Sequence, residues 1–166
     1  MKNFRLYFMV LGVILIVSSL SSCGKYEYEG KEIESIEYIT VKYNGGYTVE
    51  TKIDLSNGEV LKKGYFPTDE VIEYEVENSF DTALIDVFLD EVGGAGLFDL
   101  EDNYPAEGTI MDGSGWTLHI NYTDGTVKTS NGDNNFPTLV FTEADYAFYN
   151  LYGDDFEFDL IERVSS

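Results

Sequence analysis

Apolar and polar residues alternate in several stretches of the chain, and that period of two predicts strands. Tyr47, Val49, Thr51, Ile53 and Leu55 alternate with Thr48, Glu50, Lys52 and Asp54, so one row faces a core and the other faces out. Trp116, Leu118, Ile120 and Tyr122 alternate in the same way with Thr117, His119 and Asn121. Ile72, Tyr74 and Val76 alternate with Glu73, Glu75 and Glu77, which predicts a strand with a solvated acidic outer face. Residues 33–43 carry Ile33, Ile36, Tyr38, Ile39, Val41 and Tyr43. Their mixed spacing predicts a strand that is bulged or buried on both faces.

Turn residues separate these segments. Asn44-Gly45-Gly46 breaks the chain after the first strand. Ser56-Asn57-Gly58 predicts a tight hairpin, Asn-Gly suiting the positive φ of a type I′ turn, with residues 60–66 returning. Thr123-Asp124-Gly125-Thr126 predicts a second hairpin with residues 127–130 running back, followed by a polar loop over 131–137. Two segments change to helical spacing. Phe80, Ala83, Leu84, Val87, Phe88 and Val92 follow Ser79 as N-cap, with Asp81 in the first turn and Gly93-Gly94 as the stop. Residues 93–108 then read as a loop with Leu97, Phe98 and Leu100 tucked beneath it. Thr142, with Asp145 at capping-box spacing and Phe141 and Tyr146 as a staple, starts the second helix, and Gly153-Asp154-Asp155 ends it. Phe156, Phe158 and Leu160 alternate as a closing strand, although residues 156–164 fit a helix nearly as well.

Two stretches resemble each other. Residues 47–67 and 116–137 each read strand, Asn-Gly or Asp-Gly, strand, then Phe-Pro. A duplicated ββα unit and a chance similarity of turn residues both account for this. The expected class is α+β: a mostly antiparallel, hairpin-rich sheet with two helices on one face.

The first 22 residues follow a different pattern. Lys2 and Arg5 precede an apolar run from 6 to 17, and small residues follow. This describes a secretory signal peptide, and the run is shorter than the roughly 20 residues of a spanning helix. The sequence then reads Leu20-Ser21-Ser22-Cys23, which resembles the lipobox of bacterial lipoproteins. The resemblance covers residues 1–23 and implies that Cys23 receives a covalent lipid such as diacylglycerol and palmitate, and that the signal is cleaved before it. The implied organisation is 1–22 signal peptide, 23–32 lipidated Cys and tether, and 33–166 one globular α+β domain. The acidic residues after Cys23 also resemble the surface-export signal of some Gram-negative lipoproteins, but Tyr26 and Tyr28 interrupt them and a solvated linker is the simpler reading. The expected location is the cell membrane or outer membrane, lipid-anchored, with the domain outside the cytoplasm.

Composition sharpens this. The chain has 10 Lys+Arg against 31 Asp+Glu, a formal net charge of −21. The signal holds two of the bases and none of the acids, so the mature chain keeps 8 basic and 31 acidic residues, or −23. Such a domain repels anionic head groups and lacks the basic clusters that nucleic acid requires; a lipid anchor must hold it to a membrane. An apolar content of 43% argues against disorder. Cys23 is the only cysteine, which excludes an intrachain disulfide and, once lipidated, thiol catalysis.

The remaining chemistry is sparse. His119 is the only histidine and is expected to point away from the Trp116 face, without a partner for base catalysis. Oxygen ligands for calcium are plentiful at Asp112, Asp124, Asp133, Asn134, Asn135, Asp154 and Asp155, yet EF-hand spacing is absent, and 131–135 reads better as a turn bonding its own backbone. No Gly-x-Ser-x-Gly elbow occurs, and Gly93-Gly94-Ala95-Gly96 follows a helix where a phosphate loop would precede one. The 116–125 and 131–137 segments resemble those of small uncharacterised bacterial lipoproteins, which implies no activity. No catalytic, cofactor or metal site is expected. The leading expectation is a non-enzymatic domain binding an envelope protein, peptide or glycan; the alternative is a small carboxylate- or calcium-dependent envelope enzyme.

Overall fold

The computed structural model describes residues 27–28, 30–42, 45–68, 72–106 and 113–153. Among the described residues eight strands precede and separate the helices: β1 (Glu27–Tyr28), β2 (Lys31–Lys42), β3 (Tyr47–Asp54), β4 (Glu59–Tyr65), β5 (Glu75–Ser79), β6 (Asn103–Tyr104), β7 (Ser114–Tyr122) and β8 (Val127–Asp133). The helices are α1 (Ile85–Gly94) and α2 (Thr138–Tyr152). Seven strands form a sheet in the order β5-β4-β3-β2-β7-β8-β6, and β1 adds to the start of β2. Every pairing is antiparallel except β6 with β8. The class is α+β, as the alternation predicted.

The central strand explains its own irregular spacing. Its pairing with β7 slips between Ile33 and Ser35. One extra residue there shifts the phase, so Ile33, Ile36 and Tyr38 are all buried. Ile36 stands between Ile53 of β3 and Ile120 of β7, and Tyr38 between Thr51 and Leu118. Side chains at paired positions share a face of the sheet, so this row forms the sheet's apolar side. On it α2 sets Phe141 edge-on against Tyr38, with ring centroids 5.7 Å apart, and against Trp116 at 5.1 Å. Phe88 of α1 packs edge-on against Phe148 of α2 at 5.1 Å.

Local chemistry moves several boundaries from their expected places. Ser79 ends β5 and caps nothing; Asp81 is the cap, accepting from the Ala83 N–H over a short 3₁₀ turn, Thr82–Leu84. The Phe80 N–H is bonded to the Gly58 carbonyl, which holds residue 80 to the first hairpin and delays the helix. Gly93 and Gly94 lie inside α1, and the left-handed residue beyond it is Gly96, with φ 86°. Thr142 lies within α2, whose N-cap is Pro137 with no side-chain bond. The early start follows from Phe141, which the core takes up as a helical residue and not as a staple. The Asn57-Gly58 turn is not type I′, because Gly58 alone has positive φ. Gly58 N–H instead closes on the Asp54 carbonyl at 3.0 Å, while the Asp54 carboxylate accepts from the N–H groups of Ser56 and Asn57. The strand expected from Ile72 begins only at Glu75, and its apolar row is not buried: Val76 is 58% exposed.

The loop after α1 does tuck Leu97, Phe98 and Leu100 into the core, and it also supplies β6, which the sequence pattern does not announce. β8 runs on through Asn131 and Gly132 to Asp133, so the expected polar loop is shorter by three residues. Residues 27–28 and 31–32, within the expected tether, pair as strands. Cys23 and its lipobox, and the closing segment 156–160, lie outside the described residues.

Candidate functional site

The opposite face of the sheet is polar and carries a group of interacting side chains centred on Glu50. The same register that turns Ile36 and Tyr38 toward α2 turns Glu37 and Ile39 the other way. Glu37 lies between Lys52 of β3 and His119 of β7, and Ile39 between Glu50 and Thr117. Glu50 is in turn opposite Lys63 of β4.

Glu50 is buried, at 7% exposure, and its carboxylate is fully engaged. Lys63 Nζ lies 2.6 Å from Oε2, the Tyr65 hydroxyl donates to Oε1 at 2.5 Å, and the Tyr74 hydroxyl donates to Oε2 at 2.9 Å. Tyr74 also reaches across two strands to Glu37. The Lys63 ammonium stands 4.3 Å from the Tyr74 ring centroid, a cation–π contact that holds the ring over the cluster. Burial by itself would raise the Glu50 carboxyl, but the bonds from Lys63, Tyr65 and Tyr74 outweigh it and hold the group below its ordinary value. Its hydrogen bond to Glu50, and then burial, push the Tyr65 phenol up to about 12. Burial, and then bonds to Glu37 and Glu50, raise the Tyr74 phenol as well. At neutral pH the Glu50 carboxylate is therefore ionised, held by the Lys63 ammonium and the neutral Tyr65 phenol, while the single proton of the neutral Tyr74 phenol is shared between Glu50 and Glu37.

This cluster was missed by reading outer-row acids as solvated. A usable signal existed in the hairpin count. Pairing outward from Asp54 and Glu59 sets Glu50 opposite Lys63, and opposite charges across a strand pair attract.

The residues singled out from sequence scatter. His119 does face away from Trp116; its Nδ1 lies 2.9 Å from Thr129 Oγ1, and no described bond joins it to Glu37. Asp124 accepts from the Thr126 hydroxyl and N–H, which hold its carboxyl low, and lies 3.5 Å from Lys31. The loop amides serve the backbone: Asn134, at φ 46°, accepts from the Ser114 N–H, and Asn135 gives its carbonyl to the Trp116 indole and its amide to the Pro105 carbonyl. Asp112, Asp154 and Asp155 lie outside the described residues. Among the described residues no group of three or more His, Cys, Asp and Glu converges as a metal site, and no helix is long and apolar enough to cross a membrane.

A second feature lies at the β4–β5 edge. A groove of 380 Å³ is lined by Tyr47, Val49, Gly64, Ile72 and Val76, with the acids Glu73, Glu75 and Glu77 and the bases Lys62 and Lys63 beside them. Tyr47 lies over Gly64, where a Cβ would collide with its hydroxyl. Its ring contacts Phe66 at 4.9 Å. No protein-family model matches the chain, and no curated protein is significantly similar to it.

Proposed function

We propose that this chain is an envelope lipoprotein whose domain binds another molecule without transforming it. The observation that carries the anchoring is the Leu20-Ser21-Ser22-Cys23 lipobox behind a basic start and an apolar run. The finer fold reading belongs with it: both helices on one face, supported by Phe141 on Tyr38 and by Phe88 on Phe148. The similar hairpins β3–β4 and β7–β8 stand on either side of β2, which supports a duplicated ββα unit at the level of the hairpins alone.

The layout suits such an anchor. Three residues separate Cys23 from β1, a reach of about 10 Å. The lipid would then lie beneath the end of the sheet where β2 begins, with the 123–126 turn beside it. Antiparallel pairing sends Tyr47, Phe66 and the groove to the other end, away from the bilayer and toward a partner. The location is the cell membrane or outer membrane, with the domain outside the cytoplasm.

The choice of binding over catalysis rests on the Glu50 cluster. Two carboxylates do converge through Tyr74, as a carboxylate-dependent enzyme would need. A general acid, however, needs a carboxyl raised toward neutral pH, and Glu50 is held the other way by Lys63. The cluster is better suited to hold Tyr74, and the segment ahead of β5, across the sheet.

Metabolic labelling with an alkyne palmitate tests the anchor. The full chain should take the label and sediment with membranes, and Cys23→Ser should lose both. An unlabelled wild type, or a Cys23→Ser chain that still labels, refutes the proposal.

A further inference from the structure

We infer that the β5 edge and its adjoining groove receive an extended, cationic peptide segment of a partner protein, which adds to the sheet as a further strand. This rests on the binding role proposed above and names its partner class. β5 pairs with β4 along one edge only, and among the described residues no strand lies on the other. An edge of this kind offers backbone N–H and C=O groups in a row, ready for strand addition.

Three observations say what kind of strand fits. The first is a group of exposed apolar side chains at this corner: Val76 is 58% exposed, Phe66 47%, Ile72 40% and Tyr47 37%. Alternate side chains of an added strand would cover Val76, which stands on the edge strand itself. The second is charge. Glu73, Glu75 and Glu77 are exposed; of the two lysines in the groove, Lys62 lies 3.5 Å from Glu77 and Lys63 2.6 Å from Glu50, whereas Glu73 and Glu75 have no ion pair among the described residues. A segment alternating Lys or Arg with apolar residues would meet both features. The third is exclusion. A second copy of this chain would bring its own Glu73 and Glu75 to the same edge, in a molecule of net charge −21. Like charges on an edge oppose self-pairing and leave the site to a basic partner.

The test uses the full chain in detergent micelles and an alternating Lys–Val octapeptide carrying a fluorophore. Anisotropy should report saturable binding, and hydrogen exchange should slow at those amides of residues 75–79 that point away from β4. Methylating alternate peptide nitrogens removes hydrogen bonds while keeping charge, and should weaken binding about tenfold or more, the loss expected for one or two bonds. An alternating Glu–Val octapeptide should not bind. The double variant Glu73→Gln with Glu75→Gln, which sets no like charge opposite Lys62, should bind the Lys peptide several-fold more weakly, while melting close to wild type because both positions are exposed.

Several results overturn the inference. These are no binding of the Lys peptide, equal binding of its methylated form, or protection that appears elsewhere. Another is protection, already in the free monomer, of those β5 amides that point away from β4, which would mean that the chain itself fills the edge. Protection that appears only in a dimer would assign the edge to a second copy. None of these touches the palmitate labelling of Cys23, so the anchor and the docking site stand or fall separately.

Discussion

The hairpins β3–β4 and β7–β8 flank the same central strand and share the same turn grammar, yet they do opposite work. In β7–β8 the inner row is Trp116, Leu118 and Ile120, all buried. Trp116 touches Tyr104, Phe136 and Phe141, and its indole N–H is bonded to the Asn135 carbonyl. Gly132 lies opposite it in β8, where a Cβ would come within 2.5 Å of the indole nitrogen. In β3–β4 the apolar row thins toward its end. Ile53 is buried, but Tyr47 at the far end is 37% exposed, and the notable packing is on the other side, at Glu50. One hairpin supplies the core, and the other leads outward to a polar cluster and an open edge. The difference follows from what comes next in the chain. β8 runs straight into α2, whose Phe141 seals the Trp116 side. β4 runs into β5, which ends the sheet.

The largest test of this contrast is truncation of the two aromatics. Trp116→Ala should cost about 3–5 kcal/mol, the range for emptying a buried aromatic site, and should also orphan the Asn135 carbonyl. Tyr47→Ala should cost under about 1 kcal/mol, because its ring is partly in water and no buried group loses a partner. Urea unfolding of the two variants measures both. Similar losses would mean that the hairpins contribute to the core alike.

The second test concerns Glu50. Glu50→Gln keeps the shape and removes the charge held by Lys63 and Tyr65. The loss should be about 2 kcal/mol at neutral pH, within the range for charge-assisted hydrogen bonds. The Lys63 side chain is 20% exposed, which places the effect below that of a fully buried ion pair. The pH dependence has a definite direction. Glu50 has a lower pKa folded than unfolded, so its contribution is complete above the ordinary value of 4.5 and fades as pH falls through the folded value. The gap between wild type and Glu50→Gln should therefore close below about pH 4.5. Taking the difference removes the general relief of charge repulsion that acid brings to so acidic a chain. A gap that does not narrow at all as pH falls below 4.5 would show that the carboxylate is not what the cluster holds.

How much of this could be read beforehand depends on the range of the interaction. The strands β3 and β7, the inward turn of Trp116 and the outward turn of His119 were legible, because alternation is local and register follows it. The bulge at Ile33 and Ser35 was legible as a disturbance in spacing, though not as a choice between a bulge and two-sided burial. Helix starts were not, because contacts distant in sequence set them: Phe80 is held by Gly58, and Phe141 is drawn into the core by Tyr38 and Trp116. The short strand β6 depends on Asn131 bonding back to the Asp102 carbonyl, which no local pattern shows. The Glu50 cluster was hidden for a related reason. Tyr74 and Glu37 are 37 residues apart, and an acid on an outer row looks solvated until a distant phenol covers it.

The smallest test compares the two turns. Gly125 has φ 80° and open space where a Cβ would go, and Gly58 has φ 67° with the Phe80 carbonyl oxygen 2.8 Å from that position. An alanine at either position must adopt the left-handed conformation, which costs about 1 kcal/mol. At Gly125 that is the whole effect, because nothing else must move. At Gly58 the added methyl also pushes on Phe80, whose own N–H is bonded back to the Gly58 carbonyl. The turn and the lead into α1 must then separate together, so Gly58→Ala should exceed Gly125→Ala by about 1 kcal/mol, the worth of one lost hydrogen bond. Equal losses in thermal unfolding would mean that the β3–β4 turn is as independent of its helix as the β7–β8 turn. The delayed start of α1 would then need a cause other than its bond to the hairpin.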